Sequence, residues 1–317
     1  MSVNAAQVHF RPGDWVEVRP LPEILATLDA SGTVEGLPFM PEMVQYCGRR
    51  FQVYRRAEKV FLDGRNTVVR LENAVFLDGI RCDAQSHGGC QMGCLMFWKE
   101  AWLRPVDAGK ITIAPIAPCS PHVAIPTMKE GKYVCQATEL ASCGPGMPWW
   151  DFGQYVRDYV ARKMSKREWI GMLASLACDK IRRACGLASR DVLVGHLAKT
   201  TDDSLCLQPG EWVQVKSREE IAATLDTLGR NRGLGFALAM TEFCNGRFRV
   251  LRRVERVIVE WSGEMRQITT TVVLDGVTCN GMARRCCPRD CHYLWREAWL
   301  RRVEPLPSPV RSADELP

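Results

Sequence analysis

Two short stretches set the pattern of the chain. In Asp14-Trp-Val-Glu-Val18, and again in Glu211-Trp-Val-Gln-Val215, apolar and polar residues alternate with a period of two. That is the period of a strand with one face in a core and the other in water. A short helical signal follows each. Ser217 and Glu220 have capping-box spacing, and Gly229 is placed to end that helix. In the earlier copy Pro22 suits a first helical turn and Gly32 its end. Gly36-Leu37 and Gly233-Leu234 open a second apolar stretch that ends at Cys47 and Cys244. Further strands are expected at 50–53 and 247–250. Asp78-Gly79 and Asp275-Gly276, each between apolar residues, predict tight hairpin turns.

These features correspond because the chain contains a repeat. Residues 13–106 and 210–303 align without a gap at an offset of 197, and 37 of the 94 positions are identical. A duplication is the simplest account. Several short strands, tight turns and small helices predict an α+β fold. The expected architecture is two small SH3-like β-barrel modules with short helical insertions, joined by a mostly helical middle segment. That middle segment, 107–209, has no counterpart in the chain. It opens with spaced prolines (Pro115, Pro118, Pro121, Pro126) and passes through Cys135-Gln-Ala-Thr-Glu139-Leu and Trp149-Trp150-Asp151. Helical spacing then runs over about 152–163 and 166–185. Residues 1–12 read as a leader, and the proline-rich, polar 304–317 as a disordered tail.

Composition narrows the class. With 46% apolar residues in 317, the chain can bury a sizeable core. No apolar run approaches the roughly 20 residues of a membrane helix, and the N-terminus lacks the basic-then-apolar order of a secretory signal. The expected location is therefore cytoplasmic, with no membrane partner. In a reducing compartment, 15 cysteines point to metal ligands or catalytic groups before disulfides. A net charge of +6 permits an acidic partner without requiring one.

The strings Gly-Asp-Trp-Val-Glu-Val, Gly-Leu-Pro-Phe-Met-Pro-Glu-Met, His-Gly-Gly-Cys-Gln-x-Gly-Cys and Phe-Trp-Lys-Glu-Ala-Trp-Leu resemble an uncharacterised bacterial family. Its members carry this cysteine-bearing module, sometimes twice, around a Cys-Gln-Ala-Thr-Glu-Leu and Trp-Trp-Asp centre. The resemblance covers most of the chain. It implies the domain layout, a bacterial origin and an accessory role near biosynthetic genes, and it implies no mechanism.

The chemistry rests first on two cysteine quartets, Cys47, Cys82, Cys90 and Cys94, and Cys244, Cys279, Cys287 and Cys291. Four thiolates satisfy tetrahedral Zn(II), and close pairs joined to distant ligands are the usual way to supply them. Two structural zinc sites are expected, closed to substrate. Buried thiols, disulfides and an iron–sulfur cluster are the alternatives. His87, Cys286 and His292 are set aside, because Arg284, Gly89 and Leu95 take their places in the other copy. Trp98, Trp102, Trp295 and Trp299 suit barrel packing or a groove for a protein or peptide partner. The arginine-rich strands, with Arg49, Arg50, Arg55 and Arg56 in the first copy, suit a solvated face or nucleic acid, which is the less favoured partner. Catalysis, if present, would use Cys135 with Glu139 four residues on. Cys119, His122, Cys135 and Cys143 are the alternative, a third metal site. No phosphate loop, dinucleotide fingerprint, Gly-x-Ser-x-Gly or His-Glu-x-x-His occurs. The sequence thus favours a zinc-binding adaptor over an enzyme.

Overall fold

The computed structural model describes residues 9–106, 125–162, 166–185, 192–200 and 202–304. The proline-spaced linker up to 124, with Cys119 and His122, and the tail from 305 lie outside the described residues. No helix among those described is long and apolar enough to cross a membrane. The fold is mixed, with antiparallel sheets dominating. The chain divides into two units.

The first unit holds β1 (Trp15–Val18), β2 (Arg50–Arg56), β3 (Lys59–Leu62), β4 (Thr67–Arg70), β5 (Ala74–Arg81), β6 (Leu95–Lys99) and β7 (Leu103–Pro105). Five of these make one antiparallel sheet in the order β6-β5-β2-β1-β7. The apolar face expected at 14–18 is present, with Val16 and Val18 fully buried, but the opposite face is not open to water, because Glu17 is buried too. Between them Glu17 faces its neighbouring strands and pairs with Arg50 at 3.0 Å and with Arg104. β3 and β4 form a ribbon between the second and third strands of the sheet, with Gly146–Met147 added beside β4. The predicted hairpin turn at Asp78-Gly79 is not one. Those residues form an irregularity inside β5, with Gly79 at φ +71°, and the strand continues to pair Arg81 with Leu95. Extra residues of this kind bend a strand and let a sheet curl.

The second unit repeats the sheet. Its strands are β8 (Trp212–Val215), β9 (Arg247–Arg253), β12 (Thr271–Leu274), β13 (Trp295–Arg296) and β14 (Leu300–Arg302), in the order β13-β12-β9-β8-β14. The intervening β10 (Arg256–Ile258) and β11 (Met265–Gln267) form a ribbon equivalent to β3–β4. The capping box at Ser217 and Glu220 is present in both directions, at 3.2 and 2.8 Å.

Trp98, Trp102, Trp295 and Trp299 are each 0% exposed. They are core, and the partner groove expected from them does not exist on this surface. Trp102 packs edge-on to Phe39, Trp98 to Tyr46, and Trp295 and Trp299 to Phe236; Trp102 and Trp299 donate to Thr27 and Thr224 Oγ1 at 3.2 and 3.1 Å. The adjoining glutamates explain the shared Glu-Ala-Trp string. Buried Glu100 accepts the Phe10 amide at 2.9 Å and Arg56 at 2.6 Å. Buried Glu297 accepts the amides of Leu205, Cys206 and Leu207, and pairs with Arg253 at 2.9 Å.

The ribbon 256–267 and the cysteine loop 278–292 belong to the first unit, although the sheet they leave belongs to the second. There they meet the equivalent ribbon and loop of the first repeat. The Ile258 amide donates to Cys90 Sγ at 3.2 Å, and the Phe61 amide donates to Cys287 Sγ at 3.3 Å. Phe61 and Ile258 are 197 apart, as are Cys90 and Cys287, so each repeat's cysteine is held by the other's ribbon. Arg81 joins the two loops as well, donating to the carbonyls of Gly93 at 2.9 Å and Asp290 at 3.2 Å.

Besides the strand pairing of Gly146–Met147, the unduplicated centre docks through the Gln136 side chain. Buried Gln136 accepts from the Phe97 amide at 2.8 Å, and donates to the carbonyls of Phe97 at 2.8 Å and Pro38 at 3.1 Å. An amide in this position imitates a neighbouring strand. Two helices follow, Phe152–Arg162 and Lys166–Ala184. Gln136→Leu should keep the volume but leave the Phe97 and Pro38 groups unpaired, costing about 1–3 kcal/mol. Urea unfolding of the variant should show this as a lower midpoint with an unchanged slope.

Candidate metal centre

Among the described residues, one group of three metal-ligating side chains has its donor atoms all within 4.8 Å of one another: Glu42, Cys82 and His87. Each comes from a different local structure. Glu42 is the second residue of a 3-10 helix, Pro41–Tyr46, that begins on proline. Cys82 directly follows β5, and its amide donates to the Cys94 carbonyl at 2.8 Å, closing the loop between them. His87 lies inside that loop, turned by amide contacts of His87 and Gly89 to the Ala84 carbonyl at 3.2 and 2.9 Å. Gly88 has φ +73°, and a Cβ there would stand 2.7 Å from the Tyr133 ring, so His-Gly-Gly has a steric reason.

The three side chains form a closed triangle. Cys82 Sγ lies 3.5 Å from His87 Nε2 and 3.3 Å from Glu42 Oε1, and His87 Nδ1 lies 3.0 Å from Glu42 Oε1. Ser86 Oγ donates to the other carboxylate oxygen. Glu42 and His87 are buried. Burial opposes ionisation of Glu42, but hydrogen bonds from His87 and Ser86 outweigh it and hold the carboxyl below its usual range. Cys82 is pushed the other way, chiefly by burial and then by the Glu42 charge. Metal-free, it is a neutral thiol and a poor nucleophile. A cation between these groups would reverse that preference, because a coordinated thiol is deprotonated.

The triangle opens onto a cavity of about 50 Å³. On that scale one water takes roughly 10–15 Å³. Its wall carries Cys90, Cys94 and Cys135 as well as Cys82, together with the thioethers of Met40, Met92 and Met96. Cys135 therefore reaches a site, but Glu139 is not among the residues that line it. Burial pushes the Cys135 thiol up to about 12, the opposite of an activated nucleophile.

The remaining predicted ligands are dispersed. Cys47 ends the 3-10 helix that carries Glu42 and is absent from the cavity wall. Cys244 belongs to the second unit, whereas Cys279, Cys287 and Cys291 belong to the first. Neither predicted quartet is brought together within 4.8 Å as a set of three or more. The described cysteines are free thiols. Two residues of the candidate triad are not among the expected ligands. Arg284 takes the place of His87 in the second copy, and Ala239 that of Glu42. The signal was the pairing of those two losses: the copy that lacks the histidine also lacks the carboxylate. In that copy Arg284 donates to Cys279 Sγ at 3.7 Å, so a guanidinium supplies the positive charge.

No family model, curated protein or solved structure matches the chain.

Burial raises Cys82, Cys94, Cys135, Cys143, Cys287 and Cys291 together. Below the ordinary cysteine value of about 8.5 these thiols are protonated folded or unfolded, and their contribution to stability is complete. Above it the unfolded chain ionises while the fold does not, so stability falls by about 1.4 kcal/mol per pH unit for each such thiol. Reduced, chelator-treated protein should therefore hold its urea midpoint from pH 6 to 8 and lose it steeply above pH 9. Zinc-loaded protein should lose less, because its ligand thiols are already ionised.

Proposed function

We propose that the chain is a zinc-binding accessory protein whose ion is held by Glu42, Cys82 and His87, with one coordination position facing the cavity. The observation that carries this is the 3.3–3.5 Å spacing of Cys82 Sγ from the other two donors. Three protein donors of mixed nitrogen, oxygen and sulfur type beside an open volume are the pattern of a zinc centre that exchanges its fourth ligand. A structural site, by contrast, is closed by protein on all four sides. The open position is also where any enzymatic role would reside, in place of Cys135 acting alone.

The two sheets support an SH3-like reading of the modules. In each, the last strand lies beside the first, followed by the second, third and fourth. A single 3-10 turn, 100–102 or 297–299, precedes the last strand. A protein or peptide partner remains part of the proposal, but its surface moves to the centre. Trp150, Phe152, Ile170 and Ile181 are all more than half exposed there, and exposed apolar groups of that size mark contact surfaces. The nucleic-acid reading loses its footing, since Arg50, Arg55 and Arg56 pair with Glu17, Asp290 and Glu100.

Elemental analysis of untagged protein should find zinc. His87→Gln and Glu42→Gln should each remove one ion per chain, whereas Cys47→Ser and Cys244→Ser should keep the wild-type content. Retention of all zinc by His87→Gln would refute the assignment.

A further inference from the structure

We propose that the same cavity holds a second thiophilic metal ion, bound by Cys90, Cys94 and Cys135. This rests on the cavity being a metal chamber, as proposed above, but uses none of the first ion's ligands. The three cysteines come from two separate parts of the chain and line one volume. Cys90 and Cys94 stand at the end of the first repeat's loop. Cys135 arrives from the unduplicated centre, held there by the three hydrogen bonds of its neighbour Gln136.

Two of the sulfurs are also provided with a donor or a nearby positive charge. The Ile258 amide points at Cys90 Sγ at 3.2 Å. The amides of Thr138 and Glu139 turn onto the Cys135 carbonyl at 3.1 and 3.2 Å, which fixes the backbone that carries this sulfur. The Arg289 guanidinium, paired with Glu260 at 2.6 Å, lies against Cys94. Hydrogen bonds to sulfur and a nearby cation lower the cost of concentrating negative charge, and they surround metal thiolates for that reason. A buried neutral thiol has little use for them. Three thioethers on the same wall add to the preference for a soft ion.

The three sulfurs do not lie within 4.8 Å of one another as a group. Closing them on an ion takes rotations about χ1, which carry a cysteine sulfur between staggered wells. The second repeat has equivalents of Cys90 and Cys94 but none of Cys135, so the proposal places one such site in the chain.

The test is a stoichiometry matrix on full-length, reduced protein loaded with zinc, with folding of each variant checked by thermal melts. Wild type should bind two ions per chain. Cys135→Ser should bind one, His87→Gln one, and the double variant none. Cys143→Ser, a nearby buried thiol absent from the cavity wall, is the control and should bind two. Cadmium titration adds a second readout: His87→Gln should lose only the share of the thiolate charge-transfer band that Cys82 contributes, and Cys135→Ser or Cys94→Ser should lose the larger share that the three-thiol site contributes. If wild type binds one ion, lost in His87→Gln and kept in Cys135→Ser, this second site is overturned and the first stands. If the one ion is lost in Cys135→Ser and kept in His87→Gln, the thiol site stands and the first falls. No zinc in wild type overturns both.

Discussion

Everything distinctive in the first unit depends on a pair of hydrogen bonds from backbone amides to sulfur. Phe61 serves Cys287, and Ile258 serves Cys90. A sulfur accepts weakly, so neither bond contributes much energy by itself. Their importance is positional. They record that each repeat's cysteine loop lies on the other repeat's ribbon. The surrounding contacts follow the same exchange: Arg284 reaches Asp63 at 2.7 Å, and Arg55 and Tyr54 reach Asp290 at 2.8 and 2.5 Å. A cysteine loop of about a dozen residues has few apolar side chains of its own. It gains a fixed shape only by being laid on a partner surface.

Much of the fold was legible because it rests on periodicity. The period-two stretch at Trp15–Val18, the capping box at Ser217 and the helices after Trp150 all obey local rules, and local rules can be read along the chain. The exchange could not be read in that way. Cys90 and Ile258 are 168 positions apart, and no pattern at either end announces the other. The quartets failed for the same reason. Their spacing is equal in the two copies, but equal spacing does not decide which loop packs against which ribbon. The tryptophans illustrate a different gap. Trp98 and Trp102 are spaced to suit either core or groove, and only the packing of Phe39 against Trp102 decides for core. For the candidate site, Cys82 was legible from composition, whereas Glu42 and His87 required attention to the positions at which the copies differ.

Those differences give the two repeats unequal chemistry on a shared frame. The first pairs Cys82 with a histidine and a carboxylate. The second pairs Cys279 with Arg284 and has alanine in place of the carboxylate. A permanent cation occupies one copy, and an exchangeable one is proposed for the other. Divergence after duplication has kept the cysteines in both, where they serve packing as well as any chemistry. The unduplicated centre sharpens the asymmetry, because Cys135 and Gln136 are built against the first repeat's cavity.

The exchanged ribbons also bear on how the chain is made. Residues 256–267 and 278–292 complete a unit whose first strand begins at Trp15. While the chain grows, the first cysteine loop and the centre emerge long before the surfaces that will hold them. Cys90 lacks its amide donor until the ribosome has passed Ile258, and Cys94 lacks Arg289 for longer still. During that interval thiols that end half-buried in the fold are open to oxidation and to stray metal. A nascent chain arrested before the second ribbon should therefore be the form in which these cysteines are most vulnerable, and the order of synthesis, more than the finished fold, sets how long that exposure lasts.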